Sequence, residues 1–460
     1  MQRALLIKLL VIGLVAIVLW IPLGMISGKI SERSRFQDAA RSSIAQSWTG
    51  SQEVIGPIVV MPYTIEWETE KWDEQTKSKI VKIHQASRES FILPDQIKIN
   101  STIATDIRYK GIYRVPVYTS NLTVNGVLDS GSLKTSLDRI KNNHHFLKFN
   151  KPYLSVAVTD PRGINSIPKL RWNEMNLSFK PGSLLKMNEN GLHASLPAFD
   201  PVVNKPIIFN FEVELRGMES MQFVPAASET LVSITSPWPH PQFLGSFLPV
   251  SRSISPEGFN AEWKMTSFAT NIEQKALACE KGDCKNLWGS GFGVKLIEPV
   301  NVYVQSERSV KYGILFIGLI FVTFFLFEVL KKLRIHPVQY TLVGFAISIF
   351  YLLLISLSEH VSFAVSYLAA SVGCVVLLFV YLIFVLKSAM QSALFSLVMF
   401  VLYGVLYIII RAEDFALLMG SVLTFAVLGI VMLSTRKINW YDVGEQISDM
   451  NLSRQNAVSE

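Results

Sequence analysis

Two histidines, His336 and His360, bracket one apolar run, and the second has Glu359 beside it. Imidazole and carboxylate together suit a metal site or a proton relay. The spacing argues against a shared ion. The two histidines are 24 positions apart, which along a helix is about 36 Å, whereas ligands of one ion lie about 2 Å from it. His336-Pro337 reads instead as a helix start, where the missing proline N–H costs nothing, and "SEH" (358–360) as a turn at the far end. Glu328 precedes Lys331 and Lys332 by three and four residues, the spacing at which helical side chains meet. An interfacial ion pair follows as the simplest role for that carboxylate. The remaining histidines are His84, His144-His145, His193 and His240, and no H-E-x-x-H or comparable zinc pattern joins them. The His144-His145 pair falls in "RIKNNHHFLKF", a polar loop.

Nucleophile chemistry is equally sparse. There is no G-x-S-x-G elbow, phosphate-binding glycine loop or dinucleotide fingerprint. "SGSL" and "WGSGFG" read as glycine-serine turns. Cys279 and Cys284 in "CEKGDC" are spaced for a local disulfide clip rather than for a C-x-x-C redox pair, and Cys374 falls within an apolar run. These residues carry no catalytic, metal or cofactor assignment. A triad dispersed through the sequence stays open, since such sites assemble in space.

The elements that hold these residues are of two kinds. Runs of about 20 apolar residues match a hydrocarbon core of about 30 Å. Six occur, at 9–26, 312–329, 338–357, 361–386, 389–410 and 415–434. The first lacks a small-residue cleavage site and reads as an uncleaved anchor rather than a signal peptide. Arg3 and Lys8 precede it. "KKLRIH", Lys387 and Arg436-Lys437 flank alternate helix ends, whereas Glu359 and Glu413-Asp414 fall on the others. The positive-inside rule then puts both termini in the cytoplasm and the long segment after the first helix outside. The formal charge of +7 reflects this topology and does not call for a nucleic-acid partner. The last three spans carry no ionisable group at their middles, against an ion-coupled transporter. Ala369 and Gly373, four apart, could let helices approach closely.

The external segment has another period. Phe36, Ala40 and Ile44 extend the anchor helix outward, and beyond residue 51 the pattern alternates, as in "FNFEVEL" and "FNAEWKM". "DPRG" (160–163) and "NENG" (188–191) are turns, and "ETEKWDEQTKSK" reads as a charged hairpin tip. The predicted fold is thus six transmembrane α-helices, one N-terminal and five C-terminal, with a large, mainly antiparallel β domain on the external side, in one or two sandwich-like units. Its divisions are an anchor (1–27), a helical extension (28–50), the β-rich domain (51–310), a five-helix bundle (311–435) and a cytoplasmic tail (436–460). "SPWPHPQFLGSFLP" (236–249) stands out, since its prolines exclude a central strand. A buried crossover that staples the β units together is the simpler reading, and Trp238, His240, Phe243 and Phe247 are the candidate interaction surface if the segment instead faces a ligand, a partner or lipid.

Several blocks carry a likeness: "GPIVVMPY" (56–63), "TDPRGI" (159–164), "SPWPHPQFLGSFLPVSRSISPEGFNAEW" (236–263), "YGILFIGLIFVTFFLFEVLKKLRIHPVQYTLVG" (312–344), "LSEH" and "INWY". Over nearly its whole length the chain resembles the CreD family of bacterial inner-membrane proteins. "CEKGDC" and the hairpin near Trp72 are local departures from the family pattern. The resemblance implies a Gram-negative inner membrane, a periplasmic β domain and a role in cell envelope integrity. It also implies links to the CreBC two-component system, to β-lactam and peptidoglycan-damage responses, and to colicin tolerance. It brings no catalytic residue or cofactor. The expected partners are membrane lipids and a periplasmic protein or a wall or lipid ligand. A lipid or precursor permease and a periplasmic hydrolase are the alternatives.

Overall fold

The computed structural model describes residues 2–73, 78–142, 146–186, 188–199, 205–298, 301–330, 335–412 and 415–436. It divides into two units, one formed by Met1–Asp38 with Val300–Glu460, the other by Ala39–Pro299.

The chain opens with α1 (Gln2–Val18) and α2 (Trp20–Ser47). They form one continuous helix whose last turns, from Ala39, belong to the second unit. The extension is marked by Ala40 and Ile44, both buried, whereas Phe36, expected on the same stripe, is exposed and Gln37 is buried in its stead.

The second unit is built of strands. It runs through β1 (Gln52–Asp73), β2 (Ser78–Ile92), β3 (Gln96–Lys110) and β4 (Tyr113–Leu128), then α3 (Ser130–Asn142). The short strands β5 (Phe146–Phe149), β6 (Tyr153–Val158), β7 (Lys169–Trp172), β8 (Met175–Ser178), β9 (Lys180–Pro181) and β10 (Gly191–Ser195) follow. Next come β11 (Ile207–Met218), β12 (Ser220–Val224), β13 (Glu229–Ser236), β14 (Pro241–Gly245), β15 (Ser251–Ser255) and β16 (Gly258–Thr266). It closes with α4 (Ser267–Thr270), α5 (Ile272–Glu280), α6 (Lys285–Trp288) and β17 (Phe292–Leu296).

Among the described residues these strands make a nine-stranded and an eight-stranded sheet. Most pairings are antiparallel, but β1 runs parallel to β12 and β3 parallel to β13, so both sheets are mixed. Alternation decides which face is buried. In β11, Phe209, Phe211, Val213 and Leu215 point inward. In β16, Phe259, Ala261, Trp263 and Met265 do the same. Side chains of both sheets join one continuous core, so the unit is one body rather than two. Gly126 on β4 faces Phe209 on β11, whose ring occupies the space a Cβ would need.

One helix runs against expectation. "SGSLKTSLDRIKN" is α3, not a turn and loop. Asp129 opens it by accepting the Gly131 N–H at 2.9 Å, and Leu133, Leu137 and Ile140 form its buried stripe. "WGSGFG" likewise begins in helix α6 and ends in strand β17. His144 and His145 lie outside the described residues, as does the tip of the β1–β2 hairpin.

The first unit continues with α7 (Val302–Lys311), α8 (Gly313–Leu330), α9 (Pro337–Ser358), α10 (Phe363–Leu386), α11 (Ala389–Arg411) and α12 (Ala416–Thr435). Five helices among the described residues are long and apolar enough to cross a membrane, and a sixth span is made if α7 and α8, bent by 45°, count as one. Large apolar side chains such as Phe384 and Phe425 stay exposed, as lipid solvation permits. Ala369 and Gly373 are exposed too, and a Cβ at Gly373 would meet nothing. The small side chains that α10 buries are Ser366, Ala370, Ser371 and Cys374 instead.

Candidate functional site

Polar groups inside an apolar helical unit are costly and therefore mark where the helices are held. Two clusters do this at the two ends of α9. At its start, Glu328 of α8 is only 6% exposed. Lys8 of α1 donates to its Oε1. The Ile335 N–H donates to the same oxygen at 3.0 Å, and the Tyr340 hydroxyl to Oε2 at 2.9 Å. Lys331 and Lys332, the partners expected from spacing, lie outside the described residues. His336 caps α9 as a structural residue: its Nδ1 accepts the Val338 N–H at 3.3 Å, and Gln339 Oε1 accepts the His336 N–H at 3.0 Å.

At the far end, Glu359 receives the Tyr303 hydroxyl at 3.4 Å and lies 3.4 Å from Arg33 Nε. Asn301 donates to Gln37 Oε1 at 3.2 Å. Lys8 and Arg33 are 25 positions apart, about 38 Å of helix, comparable with a bilayer including part of its headgroup layers. The two clusters thus fasten the first helix to α7, α8 and α9 at both ends of a membrane-length segment. His336 and His360 are likewise separated by all of α9. Between the ends the contacts are neutral: the Tyr403 hydroxyl donates to Cys374 Sγ at 3.3 Å, and the Tyr367 hydroxyl to the Tyr403 carbonyl at 2.8 Å.

In the β unit, the turn "DPRG" has a task beyond turning the chain. The Arg162 guanidinium donates to the carbonyls of Ala45 and Gln46, the second-named at 2.5 Å and the first at 3.1 Å. These are among the last carbonyls of α2, which lack helical partners, and a cation there also complements the helix dipole. Asp160 orients the guanidinium through a 2.6 Å contact and accepts the Gly50 N–H at 3.3 Å. The Arg162 side chain holds the Asp160 carboxyl below the usual range, with the Gly50 and Arg162 N–H groups assisting against partial burial. Trp48, just past α2, has the guanidinium groups of Arg108 and Arg216 each 4.8 Å from its ring centroid. Reading the sequence for turns alone missed this clasp. An arginine two residues after an aspartate was the available signal.

The proline-rich segment turns its rings inward. Trp238 Nε1–H donates to the Ile297 carbonyl at 2.9 Å. Phe243 packs edge-on to Phe259 and Trp263, and Phe247 to Phe292. Pro241 begins β14, an edge strand paired with β17, where a missing N–H is tolerated. His240 is exposed, as are Leu248 and Val250. The four candidate residues therefore do not form one open aromatic surface. Cys279 and Cys284 are joined as a disulfide between α5 and α6. His84 rests on Trp67, and His193 Nδ1 is 2.6 Å from the Gly182 carbonyl oxygen. Among the described residues no group of three His, Cys, Asp or Glu side chains could hold a metal ion.

Apolar helices with exposed apolar side chains, and a two-sheet unit inserted after the first of them, define an integral multi-pass membrane protein. The family model described as "Inner membrane protein CreD" matches residues 4–441. The chain is 34% identical over 426 residues to the inner membrane protein CreD of Escherichia coli (strain K12), covering 92% of this chain and 91% of that protein. The chain belongs to the CreD family and is an inner-membrane protein with several membrane-crossing helices.

Proposed function

We propose that this protein serves cell envelope integrity by holding a periplasmic binding unit at the inner membrane. The observation that carries the reading is the insertion of a complete two-sheet body, with its own core, between the first and second apolar segments. Lys8, Lys387 and Arg436-Lys437 flank one set of helix ends, and Glu359 and Glu413-Asp414 fall in the short loops at the other, which supports both termini in the cytoplasm and the β unit in the periplasm. The Cys279–Cys284 disulfide suits that oxidising compartment. The β unit acts by binding a protein, wall or lipid partner rather than by catalysis. A permease role has less support: the oxygens of Glu328 are already taken up by Lys8, Ile335 and Tyr340, which fits a structural clamp better than a group exchanging protons with a path.

The test has two arms. A cysteine at the exposed position 208 should react with a membrane-impermeant maleimide in cells whose outer membrane alone is permeabilised, and one at position 3 only after lysis. Cells lacking the protein should differ in survival under a wall-active β-lactam, with restoration by the intact chain. Labelling of position 208 only after lysis would reject the orientation. Unchanged survival would reject the envelope role.

A further inference from the structure

Strand β2, the α5–α6 segment and the loop before β10 enclose a cleft of ≈ 590 Å³ in the β unit, within the usual size range of small-molecule sites. Three cations, Arg88, Lys186 and Lys285, line it. None of the three forms an ion pair among the described residues. Trp288, half-buried, offers a flat apolar face beside them, and the Cys279–Cys284 disulfide forms part of the same wall.

Two carboxylates share the cleft, Glu89 and Glu280. Glu280 Oε1 accepts the Phe91 N–H at 2.6 Å and the Ser90 hydroxyl at 2.9 Å, with Arg139 Nη2 at 3.8 Å. Its Oε2 takes no hydrogen bond among the described residues. Burial raises the Glu280 carboxyl above its ordinary pKa despite these donors and the nearby Arg139 and Lys281.

This combination selects a ligand chemistry. Unpaired cations call for an anion. A bare small anion would also meet two carboxylates, whereas sugar hydroxyls donate to carboxylates and the C–H face of a sugar ring packs on an indole. We propose that the cleft binds an acidic saccharide, a polyhydroxylated ring bearing a carboxylate or a phosphate. The cations take its charge, Glu280 and Glu89 accept from its hydroxyls, and Trp288 packs on its apolar face. The disulfide closes the turn between Glu280 and Lys285, so it holds the carboxylate and cation sides of the cleft in register. This rests on the reading of the β unit as a binding body, yet the two fail separately. Loss of saccharide binding leaves the survival phenotype untouched as evidence, and loss of that phenotype leaves measured binding intact.

Titration calorimetry on the full chain in detergent tests it, with glucuronate, glucose 6-phosphate, glucose and inorganic phosphate as probes. At least one acidic sugar should bind tenfold or more tighter than glucose and phosphate, and which one it is separates carboxylate from phosphate recognition. Lys285→Glu and Arg88→Glu, at exposed positions, should each weaken that binding at least tenfold with an unchanged circular dichroism spectrum. Reduction of the disulfide should weaken it as well. Equal binding of glucose, equal binding of phosphate, no binding of any probe at 10 mM, or wild-type affinity in both charge-reversed variants would each overturn the proposal. Unchanged affinity after verified reduction would overturn the part given to the disulfide.

Discussion

At the scale of single residues, the most consequential contact joins Lys8 to Glu328, 320 positions away. Spacing correctly singled out Glu328 as a carboxylate needing a partner. It could nominate only neighbours on the same helix, because periodicity carries no information about a residue at the other end of the chain. Both side chains are largely buried, at 19% and 7% exposed. Breaking a buried pair from one side leaves an uncompensated charge, whereas removing both charges is far milder. Lys8→Met should therefore lower the stability of the full chain in detergent by about 3–5 kcal/mol. Adding Glu328→Gln should recover most of the loss, since the amide can still meet Ile335 and Tyr340 without a charge. Equal losses in the single and double variants, read from denaturant titrations, would show that the two residues are not coupled. Asp160 offers a second residue-scale test. Its folded pKa is lowered, so its contribution is fully present above the unfolded value, about 3.9. It declines as pH falls through the lower folded value. Asp160→Asn should flatten the acid limb of the β unit's pH–stability curve below pH 4, while leaving its slope near neutrality unchanged.

Elements show where local patterns suffice and where they mislead. Strands β11 and β16 were legible because each buries one face and exposes the other, and the start of α9 because Pro337 suits a first helical turn; the part Gln339 takes in the cap came from the structure. Helix α3 was hidden by its opening "SGS", whose residues favour turns. The helical signal lay further on, in Leu133, Leu137 and Ile140, which meet the core along one stripe. Truncating a buried leucine typically costs about 2–5 kcal/mol, so Leu137→Ala should lower the thermal midpoint of the β unit clearly. Lys134→Ala, on the exposed face, should leave it unchanged. Similar midpoints for the two variants would remove α3 from the core. "SPWPHPQFLG" was ambiguous for a different reason. Prolines state that a strand cannot be central, but they do not state on which side its aromatic rings lie. Pairing of β14 with β17 at the sheet edge directs Phe243 inward.

At the scale of the whole molecule, two solvents shape one chain. Helices α9 to α12 need no polar face, because lipid accepts side chains such as Phe425. Strands such as β3, β11 and β16 alternate because water bathes one side of the sheet and a shared core the other. The boundaries between the two regimes lie in continuous helix at one side, near Asp38, and just before α7 at the other. Composition put both limits later in the chain, at 51 and 310; at the first of them Ile44 joins a small core with Val115, Val117 and Met218 that only the fold assembles.

Hydropathy and alternation are properties of neighbouring residues, so the sequence by itself determined the membrane-crossing segments and the β character of the inserted body. Whatever depends on distant residues meeting was decided by the tertiary structure alone. That includes the Lys8–Glu328 clamp, the grip of Arg162 on the end of α2, the two parallel strand pairs, and the cleft that gathers Arg88, Lys186, Glu280 and Trp288. The physical reason is the same in each case: burial and charge pairing act across space, and only folding brings these groups within their range.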